Sequence, residues 1–531
     1  MYANGRGVPK DEKLAVEWFR KAADQGDADG QSNLGAMYAE GRGVPKDEKL
    51  AVEWFRKAAD QGNASGQFNL GVGYAEGRGV PKDEKLAVEW YRKAADQGDA
   101  DGQSNLGGMY AEGRGVAKDE KLAVEWYRKA ADQGDADAQS NLGFMHENGR
   151  GVPKDEKLAV EWFRKAAAQG NARAQFNLGV GYAQGRGVPK DEKLAVEWFR
   201  KAADQGNALA QYNLGSMYAN AHGVPKDEKL AMEWFRKAAA QGYAAAQFSL
   251  GVGYEDGRGV PKDEKLAVEW FRKAADQGRA DGQSNLGAMY ADGRGVPKDE
   301  KLAVQWYRKA ADQGYAVAQF NLGVGYAEGR GVPKDEKLAV EWYRKAADQD
   351  DAAAQFNLGL MYGNGRGVPK DEKLAVEWFR KAAAQSNARA QFNLGFMYAD
   401  GRGVPKDEKL AVEWFRKAAD QGYDLAQCIL GLMYGNGRAV PKDEKLAVEW
   451  FRKAADQGNA SGQFNLGVRY ANGLGVPKDL VMGHMWTSLA AANGMERARE
   501  NLDALEKLMT REQVAEAQRL AKEHRDRRQA K

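Results

Sequence analysis

The 531-residue chain sets 79 basic against 76 acidic side chains, a net charge of +3, and interleaves them along its whole length. No segment gathers the excess positive charge that nucleic acid or an anionic membrane surface recognises. A single cysteine, Cys428, excludes internal disulfides and thiolate metal clusters, and the longest apolar run, around Cys428 to Tyr434, is far short of the roughly 20 residues that span a bilayer.

The sequence repeats every 36 residues without a slip in register, and all 14 tryptophans, from Trp18 and Trp54 to Trp450 and Trp486, fall on that period. Units of this length cannot bury an apolar face alone and must stack on their neighbours. The expected organisation is one array of about 14 units over 1–495, followed by C-terminal capping helices in 496–531. At the N-terminus Tyr2 already occupies the place of Tyr38, so the first unit reads as truncated. The chain as it stands is expected in the cytoplasm, and in the periplasm or medium if a secretory signal precedes it.

Within a unit, Asp27 can cap a first helix near Ala28 to Glu40, which Gly41 closes; this is helix A. The segment Gly41 to Pro45 turns the chain, glycine supplying positive φ and proline barring helix continuation. Leu50, Ala51, Trp54, Phe55, Ala58 and Ala59 then mark the buried face of helix B, predicted near Asp47 to Gln61. Gly62 follows it as a left-handed terminator, and Glu53 and Lys57 are placed to pair on its outer side. Gly35, Ala58 and Ala59 let the two helices approach closely, with Trp54 filling the core between them. Lys49, Glu53 and Lys57 recur almost unchanged although folding does not demand it, which reads as recent tandem copying or consensus design. At the far end, Thr510 and Gln513 form a capping box for a last helix near Arg511 to Arg528.

The runs Leu34 to Tyr38 (L-G-x-M-Y), Gly41 to Val44 (G-R-G-V), Lys46 to Ala51 (K-D-x-x-x-A) and Trp54 to Ala59 (W-x-x-K-A-A) resemble the Sel-one-like repeat (SLR), a cousin of the tetratricopeptide repeat. The segment from His484 to Ala491 and the run Ala515 to Gln518 resemble the end of bacterial members. The resemblance implies an all-α fold, a right-handed α-α superhelix (solenoid) of helix-turn-helix repeats with helix A on the concave side. It also implies adaptor roles, in signalling, membrane-protein quality control or bacterial contact with hosts.

On a wheel at about 100° per residue, Asp29, Ser32, Asn33, Ala36 and Glu40 lie opposite Leu34, Tyr38 and Gln31. The copies differ on this stripe. The place of Ser32 holds Phe68, Phe176, Tyr212, Phe248, Phe320, Phe356, Phe392 and Phe464; the place of Ala36 holds Val72, Phe144, Leu360 and Phe396. Beside them stand Asn69, Asn177, Asn213, Asn321, Asn357 and Asn393. Apolar pockets flanked by amides suit a peptide, and these residues are the candidate groove. The alternative is that neighbouring A helices bury them as ordinary packing. On the groove reading, truncating Phe356 and Phe392 would spare stability.

No chemistry stands out. His146, His222, His484 and His524 lack a second ligand at metal spacing, and no serine or cysteine has a base in fixed relation to it. The Gly-Arg-Gly loop, with Arg42, Arg78 and Arg186, reads as a turn or as an anion cradle. The expectation is a monomeric, non-catalytic scaffold binding a protein or peptide, without cofactor, metal, nucleic acid or membrane insertion. The alternatives are a pure spacer, or a hydrolase like the cysteine-rich β-lactam-handling branch that the resemblance brings in, whose paired cysteines are absent.

Overall fold

The computed structural model describes residues 11–529, so the reading placed on Tyr2 lies outside it. Twenty-nine helices and no strand occur among the described residues. Two compact units divide at Asp263 and Glu264. Within each, A and B helices alternate and stack on their sequence neighbours, the all-α solenoid expected from the period.

Helix A of the first full repeat runs Ala28–Glu40 and helix B Glu48–Asp60. The caps are where the sequence placed them. Asp27 accepts the Gly30 amide at 2.6 Å, Asp47 accepts that of Leu50 at 3.0 Å, and Gly41 and Gly62 take φ of 69° and 84°. Thr510 and Gln513 bond reciprocally at 3.0 and 3.3 Å before the helix Arg511–Gln529.

Gly35 is where the pair closes: a Cβ there would lie 2.8 Å from the Phe55 ring. Leu34, Ala51, Phe55, Ala58 and Ala59 are buried around it. At about 2 kcal/mol for a fully buried large apolar side chain, one pair cannot offset the ordering of some 36 residues. The deficit is met between repeats.

A glutamine chain ties each repeat to the one before. Gln31, 5% exposed, donates to the Ala23 carbonyl at the end of the preceding B helix at 3.3 Å and accepts from Gln61 at 2.7 Å. The pattern recurs to Gln463, bonded to Ala455 at 3.2 Å and to Asn493 at 2.9 Å. A buried amide left unpaired costs about 1–3 kcal/mol, so each repeat completes its neighbour.

The tryptophans are less buried than expected. Trp54 is half-buried and Trp18 is 56% exposed, whereas Trp234 and Trp486 are buried. Lys57 does not pair with Glu53; its ammonium lies 4.0 Å from the Trp54 ring centroid, and the contact repeats from Lys21 over Trp18 to Lys453 over Trp450. The recurrence of Lys57 is therefore part of the packing and not merely a relic of copying.

Among the described residues, four other than glycine hold positive φ: Ala221 (59°) and Ala439 (60°) in the glycine-rich loops, and Asp350 and Ser386 (both 63°) after B helices. A left-handed non-glycine residue costs about 1–2 kcal/mol. Ala221→Gly together with Ala439→Gly is expected to raise the melting temperature by a few degrees at unchanged helicity. A melt shifted downward in calorimetry would contradict this account of the loops.

Candidate interaction surface

Within each compact unit the candidate residues lie on the same side of their A helices, but they are not free side chains. Phe68, Phe176, Phe320, Phe356 and Phe392 are half-buried, with ring centroids 5.8 to 5.9 Å from Tyr91, Phe199, Tyr343, Phe379 and Phe415 of the B helix that follows each. Tyr212 sits 5.6 Å from Phe235 in the same way. Each ring thus rests one side on the core and turns the other outward. Truncating Phe356 or Phe392 would remove a ring contact with Phe379 or Phe415.

Among the rest, Val72, Phe144, Phe248, Leu360 and Phe396 are half-buried. Phe396 packs edge-on against Phe392 at 4.9 Å and Phe415 at 5.1 Å, and Tyr423 joins the cluster 5.1 Å from Phe392. Arg150 and Arg173 lie 5.8 and 5.4 Å from the Phe144 ring. Phe464 is different: at 7% exposure it packs with Ala490 and Ala498 beneath Arg497, so the C-terminal segment covers it.

Three of the asparagines commit an amide hydrogen to their own helix. Asn69 donates to Ser65 carbonyl at 2.8 Å, Asn213 to Leu209 at 2.8 Å and Asn393 to Arg389 at 2.9 Å, all within their own helix. Asn177, Asn321 and Asn357 are half-buried at the same place.

The sequence reading placed Asp29 on the stripe but did not follow its position through the other copies. Leu209, Val317 and Leu425 occupy it and are 41, 47 and 44% exposed, beside the half-buried stripe. Their signal was available: aspartate stands there in other copies, including Asp101, Asp137 and Asp281.

Cavities open between successive A helices. One, of about 350 Å³, lies between Tyr212 and Phe248 with Ala231, Met232 and Phe235 as its floor; others, of 160 and 180 Å³, repeat the arrangement at Val324 and Val72. The loop arginines considered for an anion cradle are each paired with a carboxylate. Arg42 pairs with Glu12 at 3.0 Å, Arg78 with Glu76 at 2.5 Å and Arg186 with Glu147 at 3.0 Å.

One hydrogen-bonded chain runs against the reading that no serine has a base. Ser488 Oγ lies 3.2 Å from His484 Nδ1, and His484 Nε2 lies 3.0 Å from Glu506. His484 is 1% exposed, and Ser488 sits within the helix Leu480–Ala492, where main-chain amides past the first turn are committed to helical bonds and cannot serve an oxyanion. No cluster of metal-ligating side chains occurs among the described residues, and burial pushes the Cys428 thiol up to about 11. No helix is long and apolar enough to cross a membrane among the described residues.

The Sel1 repeat model matches fourteen consecutive segments, beginning 1–27, 28–63 and 64–99 and ending 424–459 and 460–495. The chain belongs to the Sel1-repeat family, whose members are in general protein-interaction scaffolds and mostly not enzymes. It is similar to a protective antigen with an SLR fold from uropathogenic Escherichia coli, at 37% identity over 89% of this chain and 94% of that one, with a TM-score of 0.66. A Sel1 repeat protein from Oxalobacter formigenes is 37% identical over 58% of this chain and 90% of its own, with a TM-score of 0.49. No curated protein matches.

His146 replaces the tyrosine whose hydroxyl accepts from an arginine in other repeats, as Tyr74 does from Arg56 at 2.7 Å. It is 5% exposed with neither ring nitrogen hydrogen-bonded, and burial, with Arg128 nearby, holds its pKa below the usual 6.5. The folded state binds this proton less readily than the unfolded chain. The fold therefore keeps its full stability above about pH 6.5 and loses part of it as the pH falls below that value toward the folded-state pKa. His146→Tyr is expected to reduce the fall in melting temperature between about pH 7.5 and about pH 5.5. Equal falls in both proteins would remove His146 as the cause.

Proposed function

We propose that the protein is a non-catalytic scaffold that binds a protein or peptide along the outward face of its A helices. The observation that carries this reading is the exposure of three aliphatic side chains, Leu209, Val317 and Leu425, at a place where the fold elsewhere accepts aspartate. Folding does not ask for them. Together with the outward faces of the aromatic column and the cluster of Phe392, Phe396 and Tyr423, they give the A-helix face an apolar character that varies from copy to copy. Many similar weak contacts on a repeated surface give avidity for one extended partner. The monomer expectation and the single array over 1–495 belong to the same proposal.

A variant carrying Leu209→Asp, Val317→Asp and Leu425→Asp tests this reading. Each change restores the acid other copies carry in the first turn of the helix, where it also favours the macrodipole. The expected outcome is an unchanged or slightly raised melting temperature, with loss of at least about tenfold in affinity for partners recovered by cross-linking. Undiminished capture would sink the A-face reading.

The Ser488, His484 and Glu506 chain gives the hydrolase alternative its one specific support. Assay of the purified chain against a chromogenic β-lactam and simple esters is expected to show no turnover. Turnover that Ser488→Ala abolishes would replace the scaffold reading with an enzyme.

A further inference from the structure

One position of helix A comes in two forms. Most repeats place a buried methionine there, among them Met37, Met109, Met145 and Met397, at 2 to 4% exposure. In these repeats the loop arginine reaches back 30 residues to the glutamate that starts the preceding B helix: Arg42 to Glu12 at 3.0 Å, Arg114 to Glu84 at 3.1 Å, Arg150 to Glu120 at 2.8 Å and Arg402 to Glu372 at 3.1 Å. That carboxylate also holds a lysine, as Glu84 holds Lys82 at 3.0 Å, so it accepts two cations.

Glycine stands in place of the methionine at Gly73, Gly181, Gly253 and Gly325. Arg186, in the repeat of Gly181, pairs with Glu147 at 3.0 Å, and in the other three repeats the arginine turns to an acid two residues before it. Arg78 turns to Glu76 at 2.5 Å, Arg258 to Asp256 at 2.6 Å and Arg330 to Glu328, each about 62% exposed at the side chain or nearly so. Glu48, Glu228 and Glu300 keep their lysines, Lys46, Lys226 and Lys298, at 2.6 to 2.8 Å. These three repeats are also where the cavities of 180, 350 and 160 Å³ open, each with the glutamate on its wall and Phe55, Phe235 or Tyr307 on its floor.

The chain itself shows what such a site accepts. Arg469 occupies the same position in a later repeat. Its guanidinium bonds to Glu444, the counterpart of Glu48, and lies 5.7 Å from the centroid of Phe451, the counterpart of Phe55. Its side chain is only 11% exposed, Lys442 remains on the same glutamate at 3.0 Å, and Gly435 opposite leaves room for the guanidinium. Carboxylate and aromatic floor thus bind an arginine with a lysine already present.

We infer that the cavities beside Glu48, Glu228 and Glu300 are seats for arginine side chains of a partner peptide, of which Arg469 is the intramolecular counterpart. The inference rests on the reading that the A-helix face is the working surface, and it names the chemistry of the partner: an extended segment with spaced arginines. Charge alone does not define the seat. The planar guanidinium stacks on the ring while it bonds the carboxylate, which a lysine ammonium does less well. At Glu228 the cavity is lined by Ser249, where the other two have Asn321 and Asn69, and by Met232.

The test uses the full chain and a fluorescent glycine-serine peptide carrying several spaced arginines, read by anisotropy, with lysine and citrulline versions as controls. The arginine peptide is expected to bind saturably, the lysine version about tenfold more weakly, and the citrulline version not measurably. Gly73→Met, Gly325→Met and Gly253→Met with Met232→Val restore the combination found in other repeats and are expected to weaken arginine-peptide binding at least about tenfold. Should that variant not fold cooperatively, Glu48→Gln with Glu228→Gln and Glu300→Gln reads the same seats through half-buried groups outside the core. Absence of saturable binding, equal affinity for arginine and lysine peptides, or a filled-cavity variant that binds like the parent would overturn the inference. A photo-reactive group on the peptide separates the two readings. Cross-links confined to B helices or loops reject the A face altogether, whereas cross-links on A helices with unaltered affinity in the variants reject only the arginine seats.

Discussion

The structure depends on incompleteness: every repeat buries polar and apolar groups that only its neighbour can satisfy. Gln31 is the clearest case, a buried amide that reaches the carbonyl of Ala23 in the preceding B helix and receives the amide of Gln61 from the next. Paired helices alone would leave that amide unpaired, a cost comparable with the gain from a buried large side chain. Close approach at Gly35 and the lysine laid over Trp54 then set how the helices meet. A repeat is in this sense half of two interfaces rather than a small domain.

Such an arrangement frees one surface. Helix B spends its faces on the core and on the Lys57 and Trp54 contacts, while helix A keeps an outward stripe whose residues differ among copies that are otherwise almost alike. Variation along a stripe on a repetitive frame marks where the copies differ in what they can touch. The aromatic column has two duties there, resting on the core ring of the following helix and presenting its other side, so its chemistry is neither purely packing nor purely recognition.

Much of this was legible in the residues. The two helices, their caps at Asp27 and Asp47, the terminators Gly41 and Gly62, and the capping box at Thr510 all follow from local signals that act within a few residues. The candidate stripe was legible as a stripe because a helix wheel fixes direction. What escaped was whatever depends on a partner some 30 residues away: the burial of Phe464 under Arg497, the pairing of Arg42 with Glu12, and the meeting of His484 with Glu506.

The amino-acid order by itself determined the repeat, the helix boundaries and the family, because period, caps and glycine terminators are properties of short segments that recur unchanged. Only the tertiary structure decided how exposed each stripe residue is and where the cavities lie. Those follow from the gap between two A helices and the B helix beneath them, a volume set by side chains of two successive repeats. Replacing Met37 by its counterpart Gly73 reads as a small change along the chain; in three dimensions it accompanies an opened cavity and an arginine turned away from its glutamate.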